Sequence, residues 1–112
     1  MSDADSVLYE VRDGIATVKI NRPEMRNALS PAAANRLYEC WDAVDADKDV
    51  RVAILTSSDC GTFCAGLDLR EAARVKKEEG VDILTKMKDP FHSRQRRVAK
   101  PIIAAMTGHL IA

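Results

Sequence analysis

The stretch from Ile15 to Thr56 constrains this chain more than any other. A β-rich run, Ile15-Ala16-Thr17-Val18-Lys19-Ile20, leads to a helix-start signal at Ser30-Pro31, and an apolar run follows at Val50-Arg51-Val52-Ala53-Ile54-Leu55-Thr56. Strand, helix, strand in that order requires a right-handed crossover that lays the second strand parallel to its neighbour. The fold class is therefore α/β. In the crossover helix the Ser30 hydroxyl suits the free N–H groups of a first turn and Pro31 the first helical position. Apolar residues Ala33, Leu37, Cys40, Trp41 and Val44 recur at three- and four-residue spacing, opposite Asn35, Arg36, Glu39 and Asp42, so the helix is expected to run to about Asp47 with Trp41 anchoring the core. The apolar middle of the run from Val50 to Thr56 predicts a strand covered on both faces.

Before the crossover, Val7-Leu8-Tyr9-Glu10-Val11 and the run from Ile15 are joined by Arg12-Asp13-Gly14, which predicts a hairpin. Asn21-Arg22-Pro23 ends its second strand, because proline has no N–H for the ladder. Beyond the crossover, Ser57 to Thr62 is expected as a polar loop, and Phe63 to Leu69 as the approach to a second helix. The charged run Lys76-Lys77-Glu78-Glu79-Gly80 suits a solvated face, and a further helical segment is expected to break or restart near Asp89-Pro90. Lys100-Pro101-Ile102-Ile103-Ala104-Ala105-Met106 reads as another buried strand ahead of Gly108.

Composition narrows the function classes. Seventeen Lys plus Arg balance seventeen Asp plus Glu, so no basic excess favours nucleic acid or an anionic membrane surface. The apolar runs are far shorter than the roughly 20 residues that cross a bilayer. The acidic start, Met1-Ser2-Asp3-Ala4-Asp5, is unlike a signal peptide, so the expected compartment is the cytoplasm. Three cysteines, Cys40, Cys60 and Cys64, suit reduced thiols, and with His92 and His109 far apart no metal site is expected.

The segment Ala65-Gly66-Leu67-Asp68-Leu69 joins a turn to a helix start, where unpaired N–H groups and the helix dipole suit a bound phosphate or a transient oxyanion. Read alone, it is more simply a tight Ala-Gly turn with Asp68 as a first-turn acid, since turns with these residues are common. Three pieces in order carry more: Asn21-Arg22-Pro23 with Asn27-Ala28-Leu29; Thr62 to Leu69; and Lys100 to Gly108. From about Val7 onward this succession resembles the crotonase superfamily, the enoyl-CoA hydratase/isomerase family.

The resemblance implies a crotonase-like β-β-α spiral, with residues 1–112 as a truncated N-terminal part of one such domain. It also implies an enzyme of the lyase or isomerase type, of fatty-acid metabolism, acting on an acyl-CoA substrate. No cofactor is tightly bound, coenzyme A entering only as part of the thioester, and the complete protein forms a homo-oligomer, a trimer or hexamer. Leu67 matches the first backbone donor of the oxyanion hole. Met25, Arg26 and Ala28 match the loop bordering CoA; Ala65, Gly66, Asp68, Leu69 and Arg70 complete the expected substrate-binding set. Arg26 and Arg70 either pair with CoA phosphates or stand as solvated surface arginines.

The second donor and the acid and base glutamates match nothing between Met1 and Ala112, so the isolated chain is expected to be inactive. Glu71, Glu78 and Glu79 read as an exposed charged helix, His92 as part of a basic face with Arg94, Arg96 and Arg97, and Cys64 as a buried structural thiol. One alternative is a non-catalytic CoA-binding or subunit-interaction module, whose Ile102 to Met106 strand would leave an apolar edge open to association. Another is a nucleotide-binding α/β protein, which lacks both glycine-rich phosphate motifs.

Overall fold

The computed structural model describes residues 5–91 and 98–110. The basic stretch holding His92, Arg94, Arg96 and Arg97 lies outside them, as do residues 1–4 and 111–112. The hairpin forms as expected: β1 (Val7–Arg12) pairs antiparallel with β2 (Ile15–Ile20), with Val7 opposite Ile20 and Arg12 opposite Ile15. Its two-residue turn needs positive φ at both positions, and Asp13 (52°) and Gly14 (80°) supply it.

The crossover helix α1 (Pro31–Ala46) starts where Ser30 Oγ accepts from the Ala33 N–H, and the chain continues into β3 (Val52–Ser57), which lies parallel to β2. Ala33, Leu37, Cys40, Trp41 and Val44 are all buried, and they meet Val7, Ala16, Val18, Ile20, Ala53 and Leu55 from one face of the sheet. Trp41 is 1% exposed, and its indole N–H donates to the Pro90 carbonyl at 2.6 Å.

From β3 onward the molecule departs from the sequence reading in four places. Burial alternates along β3, with Ala53, Leu55 and Ser57 buried and Val52, Ile54 and Thr56 half-buried, so one face is covered and not both. The apolar run reflects residue choice on a face that α1 does not reach. Likewise β5 (Ile102–Ala104) pairs parallel with β3 as the fourth strand in the order β1-β2-β3-β5, but its side chains are exposed because no described element packs on either of its faces. The polar loop after β3 closes sooner than expected into β4 (Thr62–Cys64), which pairs parallel with β6 (His109–Leu110). This pairing uses two segments 47 residues apart, and no local pattern announces it.

The second helix, α2 (Leu69–Glu79), begins at Asp68 and ends on Gly80 in the left-handed region. The helical restart before Asp89-Pro90 is only a 3-10 turn at Ile83–Lys86. Among the described residues no helix is long and apolar enough to cross a membrane.

Candidate functional site

Two chain segments, one following β2 of the four-stranded sheet and one following β4 of the two-stranded β4–β6 sheet, run side by side to form a groove. After β2, a 3-10 turn at Pro23–Met25 leads into Arg26 and Asn27, two consecutive left-handed residues at φ 53° and 58°. Backbone bonds wind this loop tightly: the Arg26 N–H donates to Pro23 O at 3.1 Å, Asn27 N–H to Arg22 O at 2.8 Å and Ala28 N–H to Met25 O at 3.0 Å. The second segment leaves β4 through Ala65 and Gly66 and enters α2. Gly66 sits at φ 85°, a region that favours glycine.

The two segments meet at a parallel bridge between Leu29 and Leu67. Leu29 N–H donates to Gly66 O at 2.7 Å, and Asp68 N–H donates to Leu29 O at 2.9 Å. In a parallel bridge of this kind the amide of the central residue points away from its partner strand. The Leu67 N–H therefore turns from Leu29, and among the described residues it has no protein acceptor.

Beside it lies a groove of about 470 Å³, lined by Glu24, Met25, Arg26 and Ala28 on one wall and by Ala65, Leu67, Asp68, Leu69 and Arg70 on the other. Eight of the nine residues expected from sequence thus line one cavity. The ninth, Gly66, makes the bend that builds its wall. The lining mixes polar and apolar surface, and Leu69 is 75% exposed. Arg26 and Arg70 are exposed at the rim and belong to no ion pair among the described residues. The walls offer apolar contact, one outward amide and two free guanidinium groups.

Asp68 differs from its neighbours in what its carboxylate touches. One oxygen accepts the Glu71 N–H at 3.1 Å and caps α2; the other accepts from Arg22 Nη2 at 3.1 Å. Arg22 also donates through Nη1 to Ala28 O at 2.5 Å. In the sequence Arg22 stands out as part of a strand terminator and of one resemblance segment, and neither signals this reach of 46 residues.

Asn27, fully buried, is the second residue whose role the sequence concealed. Its Oδ1 accepts from Arg22 N at 2.9 Å and from Ser58 Oγ at 2.8 Å, while its Nδ2 donates to Ser58 O at 3.0 Å, to Thr62 O at 2.9 Å and to Cys60 Sγ at 3.4 Å. It ties the first wall to the loop after β3 and to the first residue of β4. The one local hint is that Asn tolerates left-handed backbone, which turns share with this site.

The remaining titratable groups stand apart from the groove. Glu71 and Glu78 both pair with Arg74, and Glu79 pairs with Lys86 at 2.7 Å. The Arg74 guanidinium holds the Glu71 carboxyl below the usual range, which leaves it ionised and ill suited to deliver a proton. Glu71 lies in a separate cleft with Arg22, Arg74, Lys86 and the start of α1. Cys64 is buried as expected, and burial pushes its thiol up against the opposing pull of a Gly66 N–H bond. Among the described residues no three His, Cys, Asp or Glu side chains converge as metal ligands.

Comparison with known proteins fits this geometry. The family model described as enoyl-CoA hydratase/isomerase matches residues 10–112. An (E)-benzylidenesuccinyl-CoA hydratase of Thauera aromatica is 36% identical over 112 residues, covering 94% of this chain and 40% of its own length. The enoyl-CoA hydratase EchA19 of Mycobacterium tuberculosis is 39% identical over 109 residues, with the same coverage. The crystal structure of a probable enoyl-CoA hydratase/isomerase from Mycobacterium abscessus superposes with a TM-score of 0.75 at 38% identity, covering 93% of this chain and 38% of that one. The chain thus spans about two-fifths of the length of these relatives, and its small mixed α/β domain is an incomplete crotonase fold. With the family model matching nearly all of its length, this chain belongs to the enoyl-CoA hydratase/isomerase family of the crotonase superfamily.

Proposed function

We propose that residues 1–112 supply the acyl-CoA groove and the first oxyanion donor of an enzyme that polarises a CoA thioester and stabilises its enolate. The observation that carries this reading is the Leu67 N–H, which faces away from its bridge partner and, among the described residues, has no protein acceptor, beside a groove whose rim holds two arginines outside any ion pair among those residues. A thioester carbonyl accepting from that amide gains most as negative charge develops on its oxygen. One such donor is worth about 3 kcal/mol in the transition state. Arg26 and Arg70 pair with CoA phosphates through their guanidinium forks. Met25, Ala28, Ala65 and Leu69 contact the apolar part of the ligand, and Leu67 does so with its side chain. CoA arrives and leaves with the substrate, and no further cofactor is held.

Hydration also needs a group that activates water and one that delivers a proton. Of the two carboxylates on the groove, Asp68 is committed to Arg22 and to the α2 cap, and Glu24 is exposed at the rim. The proton-transfer residues therefore lie outside residues 1–112, and a chain of these residues alone binds without turning over. The complete protein acts in the cytoplasm as a homo-oligomer, a trimer or hexamer.

A second reading, a non-catalytic CoA-binding or subunit-interaction module, draws on the exposed Ile102, Ile103 and Met106. Calorimetric titration with a short enoyl-CoA, together with a hydration assay on both residues 1–112 and the longest natural form, separates the two. The proposal expects saturable binding by both and turnover by the long form alone. Binding without turnover in the long form favours the module. Turnover by residues 1–112 refutes the assignment of the proton-transfer groups, and absence of binding in both refutes the acyl-CoA reading.

A further inference from the structure

We propose that Arg22 and Asp68 are positioning residues, a buried latch that fixes the two walls of the groove against each other and aims the Leu67 amide; its effect on ligand rests on the acyl-CoA reading above. A single guanidinium holds both walls. Nη1 takes the carbonyl of Ala28 on the first wall, and Nη2 takes the carboxylate of Asp68 on the second, immediately after Leu67 in the chain. The side chains are only 15% and 5% exposed, so neither is a solvated surface charge.

Stability alone does not account for such a pair. Removing two charges from water costs about as much as their attraction returns, and well-packed apolar residues of similar volume often serve equally well. What an apolar pair lacks is direction. A planar fork with two fixed donors sets both the spacing and the angle between the segments it joins. The need for direction is visible in the backbone, where among the described residues the walls share the two hydrogen bonds of the Leu29–Leu67 bridge, with Asn27 reaching the second wall only upstream, at Thr62. Two bonds close to one axis resist rolling of the second wall about that axis weakly, and rolling turns the Leu67 N–H. The Arg22 contact lies off the axis and stops the roll. Asp68 carries the restraint onward, because its other oxygen seats the first turn of α2.

The test uses the longest natural form of the protein with Arg22→Met and Asp68→Asn. Asn caps a helix as well as Asp does and keeps the volume, so Asp68→Asn spares α2 and the core while removing the ion pair. The first readout needs no ligand. Amide hydrogen exchange at Leu29 and Asp68 is expected to quicken about tenfold or more in both variants, the equivalent of losing about 1.4 kcal/mol of local protection, with the amides of β2 and β3 unchanged. Unchanged exchange at Leu29 and Asp68, or a uniform rise across the sheet, overturns the latch.

The second readout compares a CoA thioester with the matching thioether, which lacks the carbonyl that Leu67 would hold. The unsubstituted protein is expected to prefer the thioester about fivefold, and each variant to lose most of that preference while thioether affinity stays within about threefold. A parallel fall for both ligands marks a merely structural role and overturns the proposal. If the unsubstituted protein shows no preference, the acyl-CoA reading fails, and the exchange result alone decides the latch.

Discussion

Asn27→Ala is expected to be the most damaging single truncation of a polar side chain in this molecule. Asn27 is fully buried and makes four hydrogen bonds of 2.8 to 3.0 Å, to Arg22 N, Ser58 Oγ, Ser58 O and Thr62 O. Alanine leaves those partners without Asn27, the Thr62 bond being fully buried and the other three partly so. At a net of about 1 kcal/mol per bond, the loss is about 4 kcal/mol. Asn27 also sits at φ 58°, where a residue with a Cβ and no local hydrogen bond costs roughly 1 kcal/mol more. The total, about 5 kcal/mol, is a large part of the roughly 5–15 kcal/mol that holds a domain together.

Urea unfolding followed by the fluorescence of Trp41, itself buried in the core, reads this change. With a slope of about 1.5 kcal/mol per molar urea, the midpoint falls by about 3 M. Asn27→Gly separates the two contributions, since glycine restores the backbone freedom and none of the hydrogen bonds, so it is expected to recover about 1 kcal/mol relative to alanine. A loss below about 1.5 kcal/mol for Asn27→Ala, within the range of an ordinary substitution, would refute the reasoning. So would alanine proving milder than glycine.

Gly108→Ala is expected to break the β4–β6 pairing, because an added Cβ would stand 2.2 Å from Gly61 O and 2.4 Å from Gly61 C at a φ of 78°; loss of exchange protection at the His109 amide, which donates to Gly61 O, checks it. Burial pushes the Cys40 thiol up from the usual 9.0 to about 11. Its contribution to stability is therefore full below pH 9 and lost as pH rises through about 11, and the urea midpoint is expected to fall over that window less steeply in Cys40→Ala than in the parent. At pH 8 an alkylating reagent should label half-buried Cys60 well before Cys40, as peptide mass spectrometry would show. Arg26→Ala and Arg70→Ala are each expected to weaken CoA-thioester binding severalfold at low salt and less at high salt, with the fold intact by circular dichroism, because both side chains are exposed and screened pairs weaken with ionic strength.

What the sequence made legible was what local chemistry decides. Ser30-Pro31 started α1 and Asp13-Gly14 turned the hairpin because capping and left-handed backbone each need particular residues at particular offsets. The groove was legible for a different reason: eight of its lining residues fall in two short segments, and the family resemblance marks both. What stayed hidden is long-range. Nothing around Arg22 announces a carboxylate 46 residues away, and nothing around Asn27 names Ser58 and Thr62 as partners. The apolar run at Ile102–Ala104 suggests burial, whereas burial depends on an element packed on the strand's faces, and none stands there among the described residues. The parallel pairing of Thr62–Cys64 with His109–Leu110 is likewise set by where the crossover returns the chain.

The central claim is that the Leu67 amide receives a thioester carbonyl, and the most direct test watches that amide. In protein labelled with nitrogen-15, titration with a CoA thioester is expected to move the Leu67 amide proton downfield as it gains its acceptor, whereas the matching thioether perturbs the rim near Arg26 and Arg70 and leaves Leu67 in place. A Leu67 amide that responds alike to both ligands, or to neither while the rim shifts, would contradict the account.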